Sequence, residues 1–273
     1  MKKVLSVLLA ALVAFSALCL AASAEEPLNY VVLGDSIARG AGVWNADEAS
    51  FGRIIADTNG YNYVNYGIDG FRTIDLIDLL DREDVSASVA AADIISLSIG
   101  GNDYLQQNLP KIFAQVMVGN YKIVNDIEED FNENFAVIIG KIKALNPGAT
   151  LIVQTLYNPR FDLLRGFYDE AVVRINRGVN AYLEANPGAY EILDVHAEFT
   201  PDHFEYISAD TIHPSAIGNI RIAEMLLQKL CDLGLGTETE PVINKMGIDS
   251  VPFLSYILNA IKKVFDAVIS VFA

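Results

Sequence analysis

Short apolar runs that predict buried strands alternate with longer amphipathic stretches that predict helices, and this alternation constrains the fold more than any other feature of the sequence. Strands are predicted at 28–33, 61–65, 93–99, 150–156 and 190–195. Helices are predicted at 50–58, 73–80 (with Thr73 as the cap), 121–145, 162–186 and 214–230, with a long polar loop before the third. Continuous apolar strands separated by helices indicate an α/β fold, a three-layer sandwich with a five-stranded parallel sheet flanked by helices. In such a sheet the active site lies at the carboxyl ends of the strands.

The N-terminal residues 1–24 predict a secretory signal peptide. Two lysines open the chain, an apolar run follows over 4–20, and the small residues 22–24 form a cleavage site after Ala24. The alternative is an uncleaved anchor helix. Cleavage would leave Cys231 as the sole cysteine of a secreted, extracytoplasmic protein, which excludes an internal disulfide.

The C-terminal residues have a different composition from the domain at 25–233. A stretch rich in Gly, Thr and Glu predicts a linker at 234–250. Apolar residues then recur at alternating spacings of three and four over 251–273, which predicts an amphipathic helix. Three roles remain open for this helix: packing on its own domain, self-association, or lying on a membrane surface.

The charge balance excludes one class of partner. Asp and Glu number 35 against 19 Lys and Arg, a formal net charge of −16. A surface this acidic repels phosphate backbones, so we expect no nucleic acid to bind. An apolar content of 52% with 20% charged residues also excludes a disordered chain.

Four polar blocks occur where the predicted strands end or the last helix begins. Taken singly, each also fits an ordinary turn or a helix cap. Together they fall along one edge of the predicted sheet, which indicates a shared site. The blocks are Gly34-Asp35-Ser36, the loop that contains Gly67, the turn that contains Asn102, and the pair Asp210 and His213.

These blocks resemble those of the SGNH/GDSL hydrolase family, named for a Ser, a Gly, an Asn and a His. The resemblance extends over about residues 30–230 and rests on five positions, Ser36, Gly67, Asn102, Asp210 and His213. One departure is Thr211, since many members have Gly there. No Gly-x-Ser-x-Gly elbow occurs, so the ordinary α/β-hydrolase family is a poorer match. The resemblance implies a flavodoxin-like fold and no cofactor or metal ion.

The resemblance also implies a serine esterase mechanism. Ser36 would attack an ester carbonyl, His213 would accept its proton, and Asp210 would orient the imidazole. The N–H groups of Ser36 and Gly67 and the side chain of Asn102 would form the oxyanion hole. The expected substrates are acyl esters of glycans or lipids. The alternatives are an O-acyltransferase with the same triad, or a catalytically silent surface-association protein acting through residues 251–273.

Other residues support weaker predictions. Asp35 is expected to support the turn that carries the serine. His196 and His203 are expected to have structural or surface roles, because no third ligand joins them as in a metal site. Trp44 either lines the substrate cleft or belongs to the core. The segment 104–120 either forms a lid over the site or packs beneath the loop.

Overall fold

The computed structural model describes residues 26–160 and 165–244. The predicted signal peptide, the predicted C-terminal helix and the last residues of the predicted linker lie outside these ranges. Within them, no helix combines the length and the hydropathy needed to cross a membrane.

Five parallel strands form the central sheet, as predicted. They are β1 (Asn29–Gly34), β2 (Asn62–Gly67), β3 (Ile94–Ser98), β4 (Thr150–Gln154) and β5 (Glu191–Leu193), in the order β2-β1-β3-β4-β5. Gly34 at the end of β1 pairs with Gly67 of β2 and with Ser98 of β3. The carboxyl ends of these three strands therefore lie side by side at one edge of the sheet.

Helices cover both faces of the sheet. In chain order they are α1 (Ser36–Arg39), α2 (Ala46–Ala49), α3 (Phe51–Asn59), α4 (Thr73–Leu79), α5 (Glu83–Ala90), α6 (Gly101–Leu105), α7 (Leu109–Met117), α8 (Lys122–Leu145), α9 (Arg165–Ala185), α10 (Val195–Glu198) and α11 (Ala216–Asp232), with a 3-10 helix at Pro201–Tyr206. This arrangement confirms the three-layer α/β sandwich.

Two hydrophobic cores fill the space between the layers. Successive residues of a strand point to opposite faces, so Val31 belongs to one core and Val32 to the other. The first core includes Phe131 and Phe135 of α8, whose rings stack 5.5 Å apart. The second includes Phe51 of α3 and the apolar face of α11. Burial on both faces explains why the central strands are largely apolar.

Two local predictions are wrong. The segment predicted as a long polar loop after the third strand forms α6 and α7, and Ile112 of α7 is fully buried. Arg72, and not Thr73, is the N-cap of α4. Thr73 begins the helix and is buried. Its hydroxyl donates a hydrogen bond to Asp103 Oδ1 (2.6 Å).

Candidate active site

A sharp turn after β1 brings Ser36 to the carboxyl edge of the sheet. Gly34 adopts a φ of +137°, and a Cβ there would lie 1.9 Å from the carbonyl oxygen of Ser98, so only glycine fits. Asp35 then caps α1, its Oδ1 accepting a hydrogen bond from the N–H of Ile37 (2.9 Å). Ser36 is the first residue of the helix, and its N–H has no acceptor among the described residues.

His213 and Asp210 approach Ser36 from a distant part of the chain, since His213 follows Ser36 by 177 residues. The imidazole Nε2 lies 2.9 Å from Ser36 Oγ. The other ring nitrogen, Nδ1, forms a hydrogen bond with Asp210 Oδ2. The structure thus brings together the three residues predicted as the triad, in the order nucleophile, base and orienting carboxylate.

The second oxygen of the Asp210 carboxylate is held by its own loop. Oδ1 accepts hydrogen bonds from Ser208 Oγ (2.7 Å) and from the N–H groups of Ile212 and His213 (2.9 Å each). Burial acts to raise the pKa of Asp210, but the hydrogen bond and the charge of His213 outweigh it and hold that pKa well below its usual value. The group is therefore a carboxylate, which stabilises an imidazolium at His213.

Thr211, the departure from the family pattern, adopts a left-handed backbone with a φ of +62°. Its hydroxyl oxygen accepts a hydrogen bond from Arg160 Nη1 (2.7 Å). The spacing from Asp210 to His213 is kept, and the Nδ1–Oδ2 contact forms. Threonine at this position therefore does not prevent the pairing of the two side chains.

The structure opposes the predicted role of Gly67 in the oxyanion hole. Its N–H donates to Asn65 Oδ1 (2.7 Å) and is already engaged. A Cβ at Gly67 would lie 2.3 Å from the backbone nitrogen of Arg39, so this glycine lets β2 pack closely against α1. In the same loop, Gly70 has a φ of +79° and an N–H without an acceptor among the described residues. The sequence contains one sign that the donor could be another residue than Gly67: the same loop has a second glycine, Gly70.

Asn102 lies in the first turn of α6, next to that loop. Its Nδ2 donates one hydrogen bond to the carbonyl oxygen of Phe71 (3.0 Å). No second acceptor for this amide occurs in the part of the chain that the structure describes. The hydrogen bond fixes the side chain and leaves one N–H to donate elsewhere.

Asp103 follows Asn102 in the third block, Gly100-Gly101-Asn102-Asp103, and has a structural role that the sequence did not predict. It accepts hydrogen bonds from the N–H (3.1 Å) and the hydroxyl (2.6 Å) of Thr73, and so ties the start of α6 to the start of α4. Asn134 of α8 donates to the same hydroxyl oxygen (3.1 Å). Burial raises the pKa of Asp103, and the Thr73 hydrogen bonds partly offset this effect. The contact fixes the position of the loop that carries Gly70 relative to helix α6, which carries Asn102.

The structure also describes Trp44 and His203, two further residues named in the sequence analysis. Trp44 is 63% exposed, so the alternative that places it in the core is wrong. His203 stacks on Tyr206, with a ring-centroid distance of 4.9 Å, and its Nδ1 lies 3.3 Å from Glu205 Oε1. Among the described residues, no group of three or more His, Cys, Asp or Glu side chains is arranged to hold a metal ion.

Comparison with known proteins identifies the family. Residues 32–220 match the GDSL-like Lipase/Acylhydrolase family. The chain belongs to this family. The GDSL-like fold and the family together make it an ester-hydrolysing enzyme.

Three proteins similar to this GDSL hydrolase illustrate the match. Protein YpmR of Bacillus subtilis is 27% identical over 226 residues, which cover 78% of this chain and 86% of YpmR. Spore germination lipase LipC of Bacillus licheniformis is 25% identical over 208 residues, 73% of this chain and 94% of LipC. The crystal structure of lipase Lip_vut3 from a goat rumen metagenome superimposes with a TM-score of 0.61 at 24% identity, covering 77% of this chain and 98% of Lip_vut3, which shows a shared fold.

Proposed function

We propose that this GDSL hydrolase is an exported serine esterase that cleaves carboxylic esters of glycans or lipids through an acyl-enzyme. One observation carries the proposal: Ser36 Oγ lies 2.9 Å from His213 Nε2, whose ring is held from the other side by Asp210. Hydrogen-bonded contact between a nucleophile and an oriented base is the requirement for activating a serine hydroxyl.

The reaction would proceed in two halves. Ser36 Oγ attacks the ester carbonyl while its proton passes to His213 Nε2, and the tetrahedral intermediate collapses when His213 returns that proton to the leaving alcohol. Water then loses a proton to His213 and attacks the acyl-enzyme. The acid is released, and the proton returns to Ser36 Oγ.

Three N–H donors are proposed to stabilise the oxyanion. The N–H of Ser36 has no acceptor among the described residues, and Asn102 keeps one side-chain N–H beyond its bond to Phe71. Since the N–H of Gly67 is engaged by Asn65, we assign the third donor to Gly70. Donors of this kind that are fixed before the reaction contribute about 10²–10³ in kcat each.

The other functions considered use the same side chains differently. An O-acyltransferase would form the same acyl-enzyme and pass the acyl group to an alcohol in place of water. A catalytically silent surface protein would have no need to keep Ser36, His213 and Asp210 in contact, which disfavours that function. The role of residues 251–273, in membrane contact or self-association, stays a prediction.

A fluorophosphonate probe and p-nitrophenyl esters test the catalytic proposal. The wild-type protein should be labelled by the probe and should hydrolyse at least one ester. Ser36→Ala should lose both while keeping its circular dichroism spectrum. Ser86→Ala is the matched control, because that hydroxyl donates to Glu83 O within its own helix, and it should behave as wild type. Turnover by Ser36→Ala at the wild-type rate would refute the proposal.

Export has its own test. The full chain, expressed in a secreting bacterial host, should be recovered outside the cytoplasm with Glu25 as its first residue, as determined by mass spectrometry of the N-terminal peptide. Recovery of a cytoplasmic protein that still carries residues 1–24 would contradict export.

A further inference from the structure

An apolar cavity opens beside the proposed catalytic residues. Its wall comes from five separate parts of the chain: the start of α1, the α6–α7 segment, the residues after β4, α9, and the loop that carries Ile212. Ile37, Gly101 and Ile212 line the cavity, and each is the immediate sequence neighbour of a proposed catalytic residue. The cavity therefore begins where the substrate carbonyl would be held.

The lining offers almost no hydrogen-bonding groups. Aliphatic side chains such as Leu105, Leu109 and Ile175 form much of it. Three tyrosines line the cavity, and the hydroxyls of two of them are engaged elsewhere: Tyr104 donates to Val124 O (3.1 Å) and Tyr157 donates to Ile212 O (2.7 Å). A sugar entering this space would lose its hydrogen bonds to water without replacing them.

One part of the cavity lining, which we call the half-open side, is partly exposed to solvent, and another part is buried. Phe167 and Ala171 of α9 are partly exposed, whereas Tyr104, Val172 and Ile175 are buried. A concave lining of mostly hydrophobic and aromatic side chains is typical of small-molecule sites. An acetyl group carries a single methyl group and could contact only a small part of a lining formed by fifteen of the described residues.

We propose that this cavity binds the acyl chain of the substrate and that the enzyme prefers esters of straight-chain fatty acids, such as octanoyl esters, over acetyl esters. This inference rests on the proposed serine esterase function and names the substrate class of that site. With the carbonyl at Ser36, the chain passes Ile37 and Ile212 and extends toward Tyr104 and Ile175. Each methylene of the acyl chain that is buried in the cavity should raise kcat/KM by a factor of about four.

The first test is a series of p-nitrophenyl esters from acetyl to octanoyl with the wild-type enzyme. We expect kcat/KM to rise roughly fourfold per added methylene until the cavity is full. A parallel series of alkyl acetates, in which only the alcohol is lengthened, should show a much weaker rise. Highest kcat/KM for the acetyl ester, or a steeper rise along the alcohol series, would overturn the proposal.

The second test changes the volume of the cavity. Ala171→Phe places a ring at the half-open side and should lower the octanoyl-to-acetyl ratio of kcat/KM by at least about tenfold. Val173→Phe is the matched control, since Val173 lies on the same helix but is 50% exposed and outside the cavity lining; its ratio should stay at the wild-type value. An unchanged ratio in Ala171→Phe would overturn the proposal.

Failure of the acyl-chain proposal can be distinguished from failure of the catalytic proposal. An enzyme that is labelled by the fluorophosphonate at Ser36 but prefers acetyl esters retains the triad and refutes only the cavity assignment. Absence of both labelling and turnover on every ester refutes the serine esterase itself, and the acyl-chain proposal with it. Because the wild-type series needs no variant, the result stands even if Ala171→Phe fails to fold.

Discussion

Replacing Asp35 with Asn should change how the stability of this enzyme depends on pH. Asp35 is buried within the turn that carries the nucleophile, and its Oδ1 accepts a hydrogen bond from the N–H of Ile37. Burial raises its pKa from an ordinary value of 3.8 to about 7, against the opposing effect of that hydrogen bond. Asn caps a helix about as well as Asp and has nearly the same shape, so Asp35→Asn removes the titration and keeps the cap.

The direction and size of the effect follow from linkage. Between pH 4 and 7 the folded protein holds a proton on Asp35 that the unfolded chain has released, so the wild-type stability falls as the pH rises through this window. At ~1.4 kcal/mol per unit, a carboxyl pKa that moves from 3.8 to about 7 corresponds to about 4 kcal/mol. The amide of the Asp35→Asn variant does not titrate. The free energy of unfolding of this variant should therefore rise, relative to that of the wild type, by up to about 4 kcal/mol between pH 4 and pH 8.

Urea unfolding followed by circular dichroism at several pH values measures this difference directly. Asp78→Asn, at an exposed aspartate of α4, is the control and should track the wild type at every pH. The reasoning is refuted if the stability difference between Asp35→Asn and wild type stays constant from pH 4 to pH 8. It is also refuted if the difference grows toward low pH, because that result would mean that the folded state favours the ionised carboxylate.

Three further substitutions test the site geometry. Asp210→Asn should reduce kcat by about 10³–10⁴, since the amide no longer stabilises the imidazolium; steady-state kinetics on a p-nitrophenyl ester measure this. Thr73→Val removes a donor to the buried Asp103 and should cost about 1–3 kcal/mol in urea unfolding, with a smaller loss contradicting the anchoring role. Gly67→Ala should lower both the melting temperature and kcat, because the new Cβ would lie 2.3 Å from the Arg39 nitrogen; wild-type values of both would show that α1 can shift freely.

Strand periodicity was sufficient to predict the layers of the fold, and sheet geometry the edge at which the site lies. The contact between Ser36 and His213 was implied by the resemblance to the SGNH/GDSL family, and the structure contains it. The role predicted for Gly67 stays a prediction that the structure opposes, because the direction of an N–H at the end of a strand depends on its neighbours, here on Asn65. The buried Asp103–Thr73 pair joins residues 30 positions apart, and no local pattern indicates such a contact.

Helices α6 and α7 and the apolar cavity were not predicted from the sequence, for a related reason. Each helix is short, and a turn at Gln106–Asn108 separates them, so neither shows a long periodic pattern. The cavity is formed by segments far apart in the chain, and its apolar character depends on where the hydroxyls of Tyr104 and Tyr157 find acceptors. Such properties exist only in the folded protein.

The hydrogen bond between Thr211 and Arg160 is a second link, beside that from Tyr157 to Ile212, between the loop that carries His213 and the segment after β4. Thr211 holds a left-handed backbone that costs a non-glycine residue about 1–2 kcal/mol, and Arg160 follows Pro159 in the cavity wall. The loop that carries His213 is thus fastened to the wall proposed to hold the acyl chain. A substrate acyl chain that fills the cavity would hold the His213 imidazole in position. The fit of the acyl chain would therefore affect kcat as well as KM. Thr211→Gly would relax the backbone but remove one of the two links, and should therefore reduce kcat for octanoyl esters more than for acetyl esters.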